Sequence, residues 1–314
     1  MAGLGKVAVV GAGSVGAAVC YATMIDGAAD EIALYDIDGA RARAEVLDLR
    51  HGLQFVGGGR VTGGDDLAVC AGADLVVVTA GAKQQPGQSR LDLAGANVAL
   101  VTGLMPRIAA VAPDAIWLLV TNPVDVVTYI AQHSSGLPPG RVIGSGTVLD
   151  TSRLRHLLAE RLGVGVNSVH ATIVGEHGDS EIAAWSSATV GGAPLLDVVG
   201  PAGERIDAGD LGQLLHEVRT AAYQIIEGKG ATNLAIGLAT SRIVRAIAHD
   251  ERAVLPVSAR TTIDGIDVCL SLPSVVGRAG VLSNVPIRLD DAERDGLRQS
   301  AATIRAVIDR VLPA

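Results

Sequence analysis

Two short segments, Asp150-Thr151-Ser152-Arg153 and Gly175-Glu176-His177-Gly178-Asp179, hold the residue types of an acid–base centre. A histidine titrating near pH ~6.5 is the side chain best suited to exchange a proton at neutral pH. A carboxylate such as Asp150 can fix its tautomer and stabilise the imidazolium, and Arg153 offers a planar fork for a substrate carboxylate. His51, His133, His156, His216 and His249 sit in helical or loop patterns and none is bracketed by glycines. His177 is bracketed by Gly175 and Gly178, which free the backbone to project its ring into a crevice.

A second set of residues suits a phosphate group. Gly11-Ala12-Gly13-Ser14-Val15-Gly16 follows the β-rich stretch Lys6-Val7-Ala8-Val9-Val10. In that pattern Gly11 turns the chain sharply out of a strand and Gly13 lets the backbone approach a pyrophosphate. Gly16 packs a helix on the sheet while its N-terminal N–H groups face the anion. Asp36 follows Gly16 by 20 residues and closes the next apolar run, where a carboxylate accepts hydrogen bonds from an adenosine ribose. A 2′-phosphate would meet like charge from Asp36 and Asp38, so NAD is the expected cofactor rather than NADP. Arg41 either lies along the cofactor phosphates or faces water. Ala80-Gly81 opens a Gly- and Pro-punctuated polar segment running to Arg90, with the composition of a mobile lid, and Thr121-Asn122-Pro123-Val124-Asp125 places an amide at another strand end.

The elements that must position these residues are legible as periodicities. Residues 75–79, 116–121 and 141–144 are continuous apolar runs of strand length, alternating with helix-like stretches over 41–53, 89–111 and 124–134. Strands buried on both faces and alternating with helices predict a parallel, doubly wound sheet. Past Asp150 the texture changes. A helix is expected over 151–162, short β pieces over 168–174, 184–190 and 261–271, long amphipathic helices over 211–227, 231–248 and 290–311, and an exposed loop over 199–212. The expected fold class is α/β: an N-terminal Rossmann doubly wound parallel sheet over 1–145, then a C-terminal mixed α/β substrate domain over 146–314.

Composition narrows the function classes. Of 314 residues, 49% are hydrophobic, which supports sizeable cores and excludes a disordered or fibrous chain. Only seven aromatics and 39 glycines are present, so cores of Val, Leu, Ile and Ala with close backbone packing are expected. A formal charge of -8 lacks the footprint for phosphate backbones or anionic lipid, so neither nucleic acid nor membrane is an expected partner. The uncharged run 7–25 is long enough to raise the question of a membrane span, but the glycine motif interrupts it and the pattern continues as strand, turn, helix, strand. Cys20, Cys70 and Cys269 are too few and too scattered for a disulfide framework or a metal site, which fits a cytoplasmic compartment.

Taken together, these motifs make the chain resemble the 2-hydroxy acid dehydrogenase family of L-lactate and L-malate dehydrogenases, and its bacterial L-lactate dehydrogenases most closely. The glycine motif, Thr79-Ala80-Gly81, Ser89-Arg90, Thr121-Asn122-Pro123, Leu149-Asp150-Thr151-Ser152-Arg153, the His177 segment and Lys229-Gly230-Ala231-Thr232-Asn233 stand in the family's order and spacing, from Lys6 to about Pro313. The resemblance implies an enzyme that moves a hydride between NADH and pyruvate, giving L-lactate. It makes His177 the proton donor and acceptor, Asp150 its orienting partner and Arg153 the clamp on the substrate carboxylate. Arg90 would arrive on a closing loop and polarise the carbonyl. Asn122, Asp125 and Thr232 would complete the substrate pocket. Val15, Asp36, Arg41, Ala80, Gly81, Val120, Asn122 and Ser145 would line NAD beside Gly11, Gly13 and Gly16.

Gln84 stands where similar malate dehydrogenases carry arginine, and its neutral amide suits the methyl end of pyruvate. An unpaired second carboxylate in a closed pocket costs on the order of several kcal/mol. Two alternatives stay open: a dehydrogenase for malate or a bulkier 2-hydroxy acid, and a catalytically silent NAD-binding homologue. Asp65-Asp66 departs from the Asp-Tyr common in relatives, leaving adenine between aliphatic walls.

Regulation is the last expectation. Arg153 and Arg155 are two residues apart on one helix and so point about 200° apart around its axis, which leaves Arg155 in need of a partner away from the substrate. Bacterial lactate dehydrogenases activated by fructose 1,6-bisphosphate resemble this chain in carrying arginine and histidine at the positions of Arg155 and His170, at a subunit interface. The resemblance implies a homo-oligomer, a tetramer built without the N-terminal arm of the vertebrate enzymes, with the effector bridging two like-charged surfaces.

Overall fold

The computed structural model describes residues 3–82 and 90–312, with the backbone alone for 90–92. Its first half alternates strand and helix. The strands are β1 (Leu4–Val10), β2 (Ala29–Tyr35), β3 (Arg60–Gly64), β4 (Leu75–Val78), β5 (Ile116–Leu119) and β6 (Val142–Gly144). The helices are α1 (Ser14–Asp26), α2 (Gly39–Gly52), α3 (Arg90–Val111) and α4 (Val124–Ser135). These strands pair parallel in the order β3-β2-β1-β4-β5-β6, and the order in which successive strands are added turns back between β1 and β4. Ligand crevices open at the carboxyl ends of strands at such a switch point, here the ends carrying Gly11 and Thr79.

The continuous apolar runs are strands covered on both faces. Val7, Val9, Val77, Leu118 and Ile143 point into one core with Val19 of α1, while Ala8, Val10, Val76, Trp117 and Leu119 point into the other with Met105 and Ile108 of α3. Period-2 alternation therefore decides which core a side chain enters, not whether it is buried. The apolar stretch of α3 over Leu93–Val111 is long enough to cross a membrane, but Val101, Met105 and Ile108 are buried in the second core.

The second half begins with α5 (Val148–Leu162), followed by β7 (Val169–His170), β8 (Ile173–Val174), β9 (Ile182–Ala183), β10 (Thr189–Val190) and β11 (Ala193–Pro194). Then come α6 (Asp210–Lys229), α7 (Leu234–Ala248), β12 (Ala253–Ile263), β13 (Ile266–Gly277), β14 (Gly280–Asn284) and α8 (Asp291–Val311). β12 lies antiparallel to β6 through Ser258 and Gly144, so β12, β13 and β14 extend the first sheet to nine strands. The second half thus contributes to the sheet of the first. A third core joins Leu154, Leu158 and Leu162 of α5 to Val169, Ile173 and Val218, and a fourth joins Leu297, Ile304 and Ile308 of α8 to Val268 and Leu270.

β3 and β14 have no counterpart in the sequence pattern, and of the β piece expected over 184–190 only Thr189–Val190 is strand, after a 3-10 turn over Trp185–Ser187; three further elements also differ. The single β piece expected over 261–271 is a hairpin, because Asp264 (φ 47°) and Gly265 (φ 84°) reverse the chain between β12 and β13; Asp-Gly is the preferred pair for such a turn. The piece expected over 168–174 splits at Ala171-Thr172: β7 joins β10, whereas β8 joins β9. α5 starts at Val148, not Thr151, since Val148 and Leu149 are buried and Thr147 is pinned by a hydrogen bond from its N–H to Ser271 Oγ. That earlier start places Asp150 inside the first helical turn.

Candidate active site

α5 sets the geometry of the acid–base pair. Asp150 and Arg153 are one turn apart, and Arg153 Nη1 donates to Asp150 Oδ1 at 2.6 Å. The other oxygen, Oδ2, lies 2.5 Å from Nδ1 of His177. The helix N-terminus favours a carboxylate at this position. Burial opposes the Asp150 charge, yet the imidazole and guanidinium together hold its carboxyl below the ordinary range. Burial likewise opposes a charged His177, but Asp150, with Asp125 and Glu181 adding, raises the ring to about 9. At neutral pH the ring therefore carries a proton on each nitrogen, and Nε2 is left to deliver one.

His177 reaches this position because its loop is tied at several points. Gly175 exchanges two backbone hydrogen bonds with Ser271 of β13, each 2.9 Å. Gly175 has φ 90° and lies so close to α8 that a Cβ would stand 2.7 Å from Ser300 Oγ, so glycine is required there. Ser300 Oγ accepts the Glu176 N–H at 2.8 Å. Ser271 thus serves both partners of the dyad, taking Thr147 N–H through its hydroxyl and Gly175 through its backbone.

Asp125, expected in the substrate pocket, is instead 2% exposed beneath the His177 loop, where its Oδ2 accepts the His177 backbone N–H at 2.8 Å. The phase of α4 turns it inward, and burial pushes its carboxyl up to about 6. Its hydrogen bond ties the His177 backbone to α4. Arg153 and Thr232 line one cavity, about 640 Å³, walled also by Leu149, His156, Ile225 and Leu234. Asn122 is exposed at the carboxyl end of β5. Gln84 lies outside the described residues, as does the side chain of Arg90.

The residues expected around NAD gather at the carboxyl ends of the parallel strands. Gly11 has φ 109°, and a Cβ on Gly16 would stand 1.8 Å from Gly11 O, so turn and helix meet backbone to backbone. A Cβ on Gly13 would meet open space, and α1 starts without a side-chain cap, leaving its first N–H groups to face an anion. Asp36 Oδ2 accepts Ala12 N–H at 2.6 Å, which brings this carboxylate against the glycine turn. Val15 and Ala80 are half-buried, Gly81 exposed, and Val120 and Ser145 buried; Arg41 is exposed on α2. This cradle fits a dinucleotide.

Several residues escaped sequence reasoning. Asn97 on α3 is 2% exposed and bridges two strand-end loops, accepting Ala82 N–H and donating to Asn122 O, both at 2.7 Å. A lone amide amid apolar helix residues was its signal. Ser271, Ser300 and Glu181 carried none beyond a polar residue in a partly apolar stretch.

Residues 5–144 match the NAD binding domain of lactate/malate dehydrogenase, and residues 147–313 match its alpha/beta C-terminal domain. The chain belongs to the lactate/malate dehydrogenase family. Among family members, an L-lactate dehydrogenase of Synechococcus sp. (strain JA-3-3Ab) is 49% identical over 308 residues, 98% of this chain and 99% of that protein. One of Bifidobacterium animalis subsp. lactis (strain AD011) is 49% identical over 96% of this chain and 95% of its own. The crystal structure of minor L-lactate dehydrogenase from Enterococcus mundtii, in a ligands-bound form, superposes with a TM-score of 0.93 at 41% identity, covering 98% of this chain and 99% of that one. Family membership fits the dyad, the arginine beside it and the glycine cradle.

Proposed function

We propose that this protein is an NAD-dependent L-lactate dehydrogenase interconverting pyruvate and L-lactate. The observation that carries the reading is the Asp150 carboxylate shared between His177 at 2.5 Å and Arg153 at 2.6 Å. NAD, when bound, supplies or takes the hydride. Arg153 spends Nη1 on Asp150 and keeps its remaining N–H groups for the substrate carboxylate. His177 donates from Nε2 to the carbonyl oxygen while Asp150 retains the Nδ1 proton and stabilises the ring's charge. Arg90 adds charge at that oxygen, and Gln84 leaves the pocket neutral at the substrate's far end.

Oxidation of NADH by the purified protein, followed by absorbance with pyruvate and then oxaloacetate, tests this assignment. Turnover with pyruvate preferred is expected. NADH binding without turnover of either acid would make the chain a silent homologue. His177→Asn is expected to bind NADH and lose roughly 10²- to 10⁴-fold in kcat.

The finer reading is a fructose 1,6-bisphosphate-responsive homotetramer in the cytoplasm. Arg155 Nε donates to Ala171 O at 2.8 Å, which ties Arg155 to the backbone next to the exposed His170 and supports a shared site for the two. Leu234 and Leu238 on α7, with Tyr21 and Ile25 on α1, are more than half exposed, an apolar face suited to another subunit. Three buried free cysteines fit a reducing compartment.

A further inference from the structure

Glu181 follows His177 by four residues at the end of the same loop and is 2% exposed. A carboxylate oxygen of Glu181, one of Asp150 and a ring nitrogen of His177 all lie within 4.8 Å of one another. Glu181 Oε1 is buried and has no hydrogen-bond partner among the described residues. An ionised carboxylate left in this way is costly, whereas the neutral acid is tolerated. The charged groups around the site come from every neighbouring element: Asp150 and Arg153 on α5, Arg219 on α6, Asp125 on α4 and Glu176 on the loop.

We propose that Glu181 is a positioning residue for the general acid: its buried carboxyl, gathered with Asp150 around the His177 ring, sustains the imidazolium form that carbonyl reduction needs as pH rises. Asp150 cannot supply this reserve, because both its oxygens are already committed to His177 and Arg153. Burial and the neighbouring Asp150 push the Glu181 carboxyl up to about 8, with His177, Arg219 and Arg153 pulling the other way. Below that value the group is neutral and leaves His177 unaffected. Above it, a new negative charge stands within reach of the ring just where the ring would begin to lose its proton.

The proposal rests on reading His177 as the general acid, and its test separates the two. Glu181→Gln copies the neutral acid, so the readout is the pH profile of pyruvate reduction and not the rate at any one pH. Between pH 6.5 and pH 9 the variant should lose about twofold more activity than wild type, from an alkaline limb displaced downward by about half a pH unit. The His177 ring, titrated by NMR without substrate, should lose its proton at correspondingly lower pH, and Glu181→Asp should recover part of both shifts. If wild type fails to turn over pyruvate but the ring titration still moves, the functional reading falls and the coupling stands. Coincident ring titrations in wild type and Glu181→Gln overturn the proposal. So does a Glu181→Gln protein that fails to fold, since glutamine reproduces the neutral state assigned to the working enzyme.

Discussion

Nδ1 of His177 stands 2.5 Å from Oδ2 of Asp150, and this contact lifts the imidazole to about 9 against the burial that would lower it. Unfolded histidine titrates near ~6.5, so the folded value is raised. Protonation of His177 therefore adds stability that is full below pH ~6.5 and disappears as pH rises through about 9, while the share of Asp150, whose carboxyl is held below its ordinary range, is lost when acid protonates it. Asp150→Asn removes the charge and should return the His177 titration, followed by NMR, to ~6.5 or below. Pyruvate reduction at pH 7.5 should fall by about 10²-fold or more. An unmoved ring titration would mean that another group sets the proton affinity.

Position 84 should govern the choice between substrates differing by one carboxylate. Gln84→Arg supplies a countercharge for oxaloacetate, and the ratio of kcat/KM for oxaloacetate over pyruvate should rise by at least about tenfold, or ~1.4 kcal/mol. Steady-state kinetics with both acids checks it; a ratio that stays put assigns the discrimination elsewhere.

The Arg155 and His170 pair should be needed for any response to fructose 1,6-bisphosphate. In wild type the effector should lower the apparent KM for pyruvate and shift dimers toward tetramers in sedimentation. Arg155→Leu/His170→Val should abolish both responses. Arg155 also donates to Ala171 O, so thermal melts of the double variant accompany the binding data. Equal responses in the two proteins would remove these residues from the site.

Leu158 is fully buried between α5 and the small strands. Leu158→Ala should cost about 2–5 kcal/mol of stability, read as a lower denaturant midpoint. Because Asp150 and Arg153 lie two and one turns earlier on the same helix, their mutual contact should survive in the folded fraction, and kcat per folded molecule should be nearly unchanged. A large kcat loss at normal stability would show that the packing under α5 tunes the dyad directly.

Local chemistry made much of this protein legible in the sequence. Apolar runs of strand length alternating with helical periods can be buried only between two helical layers, so the parallel sheet follows from composition and period alone. Gly11 and Gly16 are dictated by a backbone approach no side chain permits, and Asp36 by its distance along the chain from them. His177 declared itself through the glycines beside it.

Contacts between distant segments were not legible, because nothing local reports them. Asp125 has the composition of a pocket residue, and only the packing of α4 against the His177 loop turns it into a buried acceptor for a backbone N–H. The hairpin between β12 and β13 carried its Asp264-Gly265 turn signal in plain view, yet its joining to β6 depends on a pairing across 114 residues of chain, from Gly144 to Ser258. The same holds for Glu181. Its sequence neighbours give no hint of an ionisation problem, which exists only once α5 and α6 bring Asp150, Arg153 and Arg219 around it. Residue types and spacing determined which groups could do the chemistry. Their proton affinities were decided by tertiary structure, since desolvation and charge proximity are properties of the assembled neighbourhood and not of the chain.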